Sequence, residues 1–180
     1  MTNRYINFLL LLNVCLPIYL SFFIIGIIQD TNMKKIAVIN GPNLNLLGIR
    51  EPDIYGRTTL KEIIANLKKE AKKYNIKIKA FQSNHEGKIV DFIQKIGLKK
   101  YFGIIINPGA LTHYSIAIRD AIKAFDIPAV EVHLSDIENR EDFRKISVIK
   151  DVCVGQVKGM GPEGYKKALE TLMSFDKNKN

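Results

Sequence analysis

Cysteine and histidine are scarce in this 180-residue chain, and the scarcity excludes several kinds of site. The two cysteines, Cys15 and Cys153, are too far apart for a metal-ligand motif and suggest no disulfide framework, which favours a reducing compartment. The three histidines have no carboxylates clustered around them in the sequence, so a zinc centre is not indicated. Internal repeats and low-complexity tracts are also lacking. With 47% hydrophobic residues, the chain is typical of one domain with a sizeable core.

Acidic residues are outnumbered by basic ones, 18 to 27, and the net charge is +9. A basic total permits binding of nucleic acid or attraction of an anionic substrate. The lysines, however, are spread over predicted helix faces and strand ends, and no nucleic-acid-reading motif accompanies them. We therefore interpret them as a solvated surface and expect no nucleic-acid partner. A nucleic-acid-binding module stays an alternative that a steep salt dependence of affinity would support.

Charge is absent from residues 6–28, a 23-residue stretch long enough to span a bilayer. Three interpretations stay open: a membrane anchor, a secretory signal, or a segment outside the working protein. A signal is disfavoured because the run exceeds the usual ~7–15 apolar residues and no clear cleavage site follows. We favour the third, because Met33 leads directly into the first predicted strand. The chain is accordingly divided into an N-terminal extension, residues 1–32, and a domain, residues 33–180.

The remaining sequence alternates strand and helix patterns five times, which predicts a doubly wound parallel sheet with helices on both faces. Thr59 and Glu62 form a capping-box pattern at the first helix, and Gly97 is the expected stop of the second. The lysine alternation of the second strand fits the edge of the sheet. The predicted strands cover residues 36–39, 76–81, 103–106, 128–133 and 152–154, and helices follow near Thr59, Ile89, Ser115, Glu141 and Gly161.

Parallel topology brings the loops after every strand to one edge of the sheet, where ligands of such folds bind. Hydrogen-bonding and titratable groups collect in these loops, without a metal-ligand cluster or a thiol. This chemistry suits proton transfer at a polyhydroxylated small anion. The candidates are Asn43, Arg50, Tyr55, Asn107, His113, Glu131, His133 and Ser135.

Two pairs among these candidates suggest an acid and a base. Glu131 and His133 are two apart on one strand, so they share a face, and a carboxylate beside an imidazole can hold its proton. Tyr55 follows Arg50 by five residues, and a guanidinium lowers the pKa of a nearby phenol. The alternatives are that Tyr55 only packs its loop and that His133 is a core histidine. Arg144, on a predicted short helix, can also face the site.

Five separated motifs resemble one known family, the type II 3-dehydroquinate dehydratases. The likeness runs from about Lys34 to Phe175, in the order and with the spacing of the family. The motifs are INGPNLNLLGIREPDIYG at residues 39–56, QSNHEG at 82–87, INPGALTHYSIAIRDA at 106–121, PAVEVHLSDIENREDFR at 128–144 and GQVKGMGPEGY at 155–165.

The resemblance implies a flavodoxin-like fold, assembly as a dodecamer of trimers, and no cofactor or metal. It also implies a cytoplasmic enzyme of the shikimate pathway, with membrane contact only if residues 6–28 are retained. The implied reaction removes water from 3-dehydroquinate to give 3-dehydroshikimate, by anti elimination through an enolate. Such chemistry needs a base, an enolate stabiliser and an acid for the departing hydroxyl.

The resemblance also assigns roles to individual residues. Tyr55 would be the base, acting as a phenolate whose pKa is lowered by Arg50, and the loop carrying both would close as a lid. His133, oriented by Glu131, would be the acid. The other assignments are Asn43 to a water on the enolate oxygen, Asn107, His113 and Arg144 to substrate hydroxyls, Leu134 and Ser135 to the carboxylate, Asp120 to the site of a neighbouring subunit, and Arg140 to lid support.

Two departures and two competing functions accompany this resemblance. Ala110 and Leu111 stand where an aromatic residue is common in the family, and residues 6–28 have no counterpart. A flavin-binding or phosphoryl-receiver protein of similar fold is disfavoured, because the first loop has neither a phosphate-binding pattern nor an acidic cluster. A membrane-tethered degenerate scaffold is opposed by the intact Arg50, Tyr55 and His133.

Overall fold

A computed structural model describes residues 33–50, 56–139 and 141–177 of the chain. The apolar stretch at residues 6–28, Tyr55 and Arg140 therefore lie outside the described residues. None of the helices in the described part of the chain has the length and apolarity needed to cross a membrane. The elements are β1 (Lys34–Asn40), α1 (Leu60–Lys72), β2 (Ile76–Gln82), α2 (Glu86–Leu98), β3 (Gly103–Asn107), α3 (Ile116–Lys123), β4 (Ala129–Val132), β5 (Gly155–Val157) and α4 (Gly164–Lys177), with short 3-10 helices between them.

The five strands form one parallel sheet in the order β2-β1-β3-β4-β5. Helices α1 and α4 bury their apolar faces on one side of the sheet, and α2 and α3 on the other. This is the flavodoxin-like doubly wound arrangement, so the predicted fold class is confirmed. The sheet edge at which the strands end is the place where ligands bind in such folds.

Local sequence explains most of these elements. β3 is buried along its whole length, as a continuous apolar run on a two-faced central strand requires. β2 occupies an edge of the sheet as predicted, and its exposed lysines alternate with buried isoleucines. At α1 the predicted capping box is confirmed: Thr59 accepts from the Glu62 backbone N–H, and Glu62 accepts from the Thr59 backbone N–H at 2.8 Å.

The fifth strand lies a few residues later than predicted. It is Gly155–Val157, whereas Val152 and Cys153, expected within the strand, belong to a turn that packs against the α2–α3 side of the core. The apolar character of Val152 and Cys153 is thus explained by partial burial of this turn against the core. The strand begins where Gly155 pairs with Val130 of β4.

Gly97 was expected to stop α2, but it lies inside the last turn of that helix. A Cβ atom at Gly97 would lie about 2.4 Å from the ring of Phe125, far inside contact distance. The glycine therefore permits close packing between α2 and the segment after α3. Helix α2 continues one residue further, to Leu98.

Two loops meet tightly at the carboxyl edge of the sheet. The Gly41 N–H after β1 donates to the Asn107 carbonyl at the end of β3, at 2.8 Å. A Cβ atom at Gly41 would lie 2.1 Å from the Pro108 carbonyl oxygen, so only glycine fits there. This contact fixes the loop after β1 against the loop after β3.

Candidate active site

A cavity of about 190 Å³ opens between these loops, at the carboxyl ends of β1, β3 and β4. Its wall brings together eight of the residues predicted from the sequence, which come from four separate segments. The cavity is lined by Pro42, Asn43, Leu44, Leu47, Arg50, Asn107, Gly109, Ala110, His113, His133, Leu134, Ser135, Ile137 and Arg144.

His133 stands at the cavity wall with Glu131 behind it. Glu131 is fully buried on β4, and its Oε1 atom lies 2.7 Å from Nε2 of His133. The hydroxyl of Thr112 also donates to Oε1, that of Ser147 lies 2.9 Å from both oxygens, and Nε2 of Gln156 donates to Oε2 at 2.7 Å. The carboxylate is thus surrounded by hydrogen-bond donors from four segments of the chain.

These donors keep Glu131 ionised. Burial raises the pKa of Glu131, but the hydrogen bonds from His133, Thr112 and Ser147 outweigh it, and the pKa lies below its usual value. Since a carboxylate only accepts hydrogen bonds, Nε2 of His133 carries the proton that lies between them. The other ring nitrogen, Nδ1, is then the atom through which His133 can exchange a proton with a ligand.

His113 and Asn107 are also oriented by backbone groups. Nδ1 of His113 lies 2.7 Å from the Ile146 carbonyl, which only accepts, so Nδ1 is protonated and Nε2 is the nitrogen left to a ligand. Oδ1 of Asn107 accepts from the Gly109 N–H at 3.2 Å. Each of these side chains therefore offers one defined polar group to the cavity.

The loop that carries Asn43 is held by the loop after β2. Asn43 has a left-handed backbone with a φ of 66°, and its N–H donates to Oδ1 of Asn84 at 3.0 Å. Gln82 supports Asn84 by donating to the same oxygen, and it also donates to the Gly41 carbonyl. The QSNHEG motif thus positions the first loop without lining the cavity itself.

Arg50 and Arg144 give the cavity a positive charge. Neither aspartate nor glutamate is found among the described residues that line it, and the Glu131 carboxylate lies behind the wall, hydrogen-bonded to its donors. The Arg144 guanidinium pairs with Glu141 at 3.4 Å. A small anion that carries hydroxyl groups matches this combination of arginines and oriented polar groups.

Two of the predicted site residues are placed elsewhere, or not placed at all. Asp120 is exposed, lies 3.7 Å from Arg119 in an ion pair, and does not line the cavity of its own chain. Tyr55 lies outside the described residues, five positions after Arg50. Of the pair that stands where an aromatic residue is common in the family, Ala110 lines the cavity, whereas Leu111 is buried in the core.

Sequence reasoning missed the groups that surround Glu131 and support Asn43. Gln156 is the register partner of Glu131 across β4 and β5, so a search for donors opposite a buried carboxylate would have found it. Thr112 belongs to a motif already singled out. Ser147 comes from a segment without any pattern that points to the site.

The chain matches the family model described as Dehydroquinase class II over residues 34–173. It is 55% identical over 145 residues to the 3-dehydroquinate dehydratase of Halothermothrix orenii, covering 81% of this chain and 97% of the relative. It is 58% identical over 140 residues to that of Caldicellulosiruptor saccharolyticus, covering 78% and 97%. The crystal structure of a type II dehydroquinase from Butyrivibrio crossotus superposes with a TM-score of 0.76, at 49% identity over 78% of this chain and 97% of the other.

By these similarities the protein is a hydro-lyase with a flavodoxin-like fold. The chain belongs to the class II dehydroquinase family. The family resemblance read from the five motifs is thereby confirmed.

Proposed function

We propose that this protein dehydrates 3-dehydroquinate to 3-dehydroshikimate in the shikimate pathway, by anti elimination through an enolate. Tyr55 removes the proton from the carbon next to the ketone, and His133 protonates the departing hydroxyl. The observation that carries the proposal is the imidazole of His133 at the cavity wall, 2.7 Å from an ionised Glu131. Family membership supports the substrate.

The acid half of the reaction follows from this pair. Hydroxide is a poor leaving group, so a positioned acid must protonate it in the transition state. Glu131 holds the proton on Nε2 and stabilises the positive charge that the ring carries before it acts. Nδ1 of His133 then delivers the proton to the hydroxyl oxygen.

The base half involves Arg50 and Tyr55, which are five residues apart in the sequence. A phenol with its ordinary pKa near ~10 is mostly protonated at neutral pH, and a nearby guanidinium favours the phenolate. Arg50 lines the cavity, which supports this role for its charge. Asn43, which also lines the cavity, holds a water molecule that stabilises the enolate oxygen.

The remaining lining residues bind the substrate. Asn107, His113 and Arg144 contact its hydroxyl groups. The hydrogen bonds of these side chains within the protein support this role, since they leave an Nδ2 hydrogen of Asn107 and the Nε2 atom of His113 to a ligand. Ser135 and the Leu134 backbone bind the carboxylate at the end of β4. Holding the substrate by both ends orients its reacting carbon toward the base.

The working form is a homo-oligomer, a dodecamer built from trimers, in which Asp120 of a neighbouring subunit completes each cavity. The exposed position of Asp120 within its own chain supports this. Large apolar side chains with more than half of their surface exposed lie beside His113 and Arg144 in the sequence, and such surfaces favour an interface. They are Tyr114, Ile116, Phe143 and Ile146.

The roles of Tyr55 and His133 can be distinguished with a labelled substrate, which carries deuterium on the carbon that loses its proton. The His133→Asn variant should dehydrate at least ~100-fold more slowly, yet still exchange the deuterium with water, because the base and the enolate site are intact. The Tyr55→Phe variant should lose both dehydration and exchange. Mass spectrometry of recovered substrate measures the exchange, and a chromatographic assay measures the product.

The opposite pattern would overturn the assignment of roles. If Tyr55→Phe retained exchange at the wild-type rate, another group would be the base. If His133→Asn dehydrated as fast as the wild type, the acid would have to be sought elsewhere.

A further inference from the structure

The phenol of Tyr165 is a buried titratable group that the proposed reaction does not use. Tyr165 lies in the first turn of α4 and is 1% exposed. Its hydroxyl donates to Oδ1 of Asn40 at 2.6 Å and accepts from Nδ2 of Asn107 at 3.2 Å. Burial raises the pKa of this phenol, so it remains protonated and serves as donor and acceptor together.

Strand register explains why one hydroxyl reaches both asparagines. Asn40 and Asn107 are the last residues of β1 and β3, and they are register partners across these neighbouring strands. They continue the stripe of Val38 and Ile105, which faces α1 and α4. Tyr165 belongs to the same side of the core, so its ring brings the hydroxyl between the two amides.

Backbone groups fix the direction of this chain of hydrogen bonds at both ends. At one end Nδ2 of Asn40 donates to the Phe81 carbonyl at 3.4 Å, and at the other the Gly109 N–H donates to Oδ1 of Asn107 at 3.2 Å. A carbonyl only accepts and a backbone N–H only donates, so neither amide can be turned over without losing a bond. The phenol is the link that must both donate and accept.

This direction decides what Asn107 offers to the cavity. Its Oδ1 atom is engaged by Gly109 and one Nδ2 hydrogen by Tyr165, so the second Nδ2 hydrogen is the group left for a ligand. Asn107 lines the cavity and is only 3% exposed, so water cannot readily replace a hydrogen bond that its amide fails to make. A misoriented Asn107 amide would therefore weaken substrate binding.

We propose that Tyr165 is a positioning residue for the dehydration, fixing the Asn107 amide so that it donates to a substrate oxygen. The proposal rests on the proposed function, because it concerns the same substrate and the same cavity. The alternative is a purely structural role, in which Tyr165 only fills the core with Leu169 and Leu172. The two differ in whether removal of the hydroxyl alone changes substrate binding.

The test compares the Tyr165→Phe variant of the full chain with the wild type in steady-state kinetics on 3-dehydroquinate. We expect KM to rise roughly five- to ten-fold, the value of about one hydrogen bond, with kcat within about two-fold. The matched control is Leu169→Val, which loosens the same helix and core without touching the amides. That variant should lower thermal stability yet leave KM within about two-fold of the wild type.

A double variant shows whether Tyr165 acts through Asn107. In an Asn107→Ala background, Tyr165→Phe should raise KM no further, because the group that it positions is gone. Asn40→Ala, which keeps the phenol but removes its acceptor, is the second route to the same effect if Tyr165→Phe folds poorly. It should raise KM in the same way.

Each result bears on one of the two proposals. An unchanged KM in Tyr165→Phe, or a full further rise in the Asn107→Ala background, would overturn the role of Tyr165 and leave the dehydratase function intact. A folded wild-type enzyme without any turnover would overturn the proposed function, and the role of Tyr165 with it.

Discussion

At the residue scale, Glu131 shows how a buried charge is made stable and useful. Its carboxylate is fully buried and accepts from an imidazole, two hydroxyls and an amide. Burying a carboxylate without such partners would cost several kcal/mol. Because the donors outweigh the burial, the pKa of Glu131 is depressed, and His133 is held in one tautomer beside the cavity.

Replacing Glu131 by glutamine should weaken the fold, because an amide group would face several donors with only one acceptor oxygen. We expect the free energy of unfolding at neutral pH to fall by about 2 kcal/mol, measured by urea denaturation. The loss should depend on pH. A carboxyl whose folded pKa is depressed stabilises the fold above its unfolded pKa of about 4.5, and that stabilisation disappears as pH falls through the lower folded pKa.

The difference in free energy of unfolding between the wild type and Glu131→Gln should therefore become smaller at acid pH. Glu163→Gln, at an exposed position of the chain, is the control and should change stability by less than ~0.5 kcal/mol. A gap of constant size from pH 7 down to the acid transition would contradict the ionised, donor-surrounded Glu131.

Residue spacing predicted part of this arrangement and could not predict the rest. The i, i+2 spacing of Glu131 and His133 on a strand placed them on one face, and the structure brings them to 2.7 Å. Thr112, Ser147 and Gln156 converge on Glu131 from three other segments, and only tertiary packing brings those together. The link from Tyr165 to Asn107 spans 58 residues and has no local signal at all.

At the element scale, α2 contains two glycines with opposite roles. A Cβ atom at Gly97 would lie about 2.4 Å from the Phe125 ring, whereas one at Gly87 would have no heavy atom within 4 Å among the described residues. Gly97→Ala should therefore lower the free energy of unfolding by about 1–3 kcal/mol, because the packing must open. Gly87→Ala should raise it by about 0.4–1 kcal/mol, since alanine restricts the unfolded chain.

Thermal or chemical denaturation of Gly97→Ala and Gly87→Ala compares the stability effects of the two substitutions within one helix. Two stabilising substitutions would show that α2 and Phe125 do not pack closely. Two destabilising ones would show that helix propensity does not govern the first turn of α2.

Elements with strong local patterns were predicted well, and those shaped by neighbours were not. The capping box of Thr59 and Glu62 marked the start of α1 because both partners lie within one turn. The fifth strand was predicted too early in the sequence, because an apolar turn at Val152 and Cys153 resembles a strand. Gly97 resembled a helix stop because close packing and chain reversal favour the same residue.

At the scale of the whole molecule, the family match covers residues 34–173 and begins at the first residue of β1. We propose that residues 33–180 form the catalytic domain and that residues 1–32 take no part in the chemistry. A protein made of residues 33–180 should then match the full chain in kcat and KM within about two-fold, when the oligomeric state of each is measured alongside by light scattering. Loss of activity in a folded, assembled short form would give the first 32 residues a role in the domain.

Dehydration of 3-dehydroquinate with Tyr55 as the base is tested by measuring the rise of enone absorbance after 3-dehydroquinate is added to the purified full chain. We expect rapid turnover by the wild type and a loss of at least ~100-fold in kcat for a folded Tyr55→Phe variant. Equal rates in the two proteins would contradict the role of Tyr55. A folded, assembled wild type without turnover would contradict the dehydratase function itself.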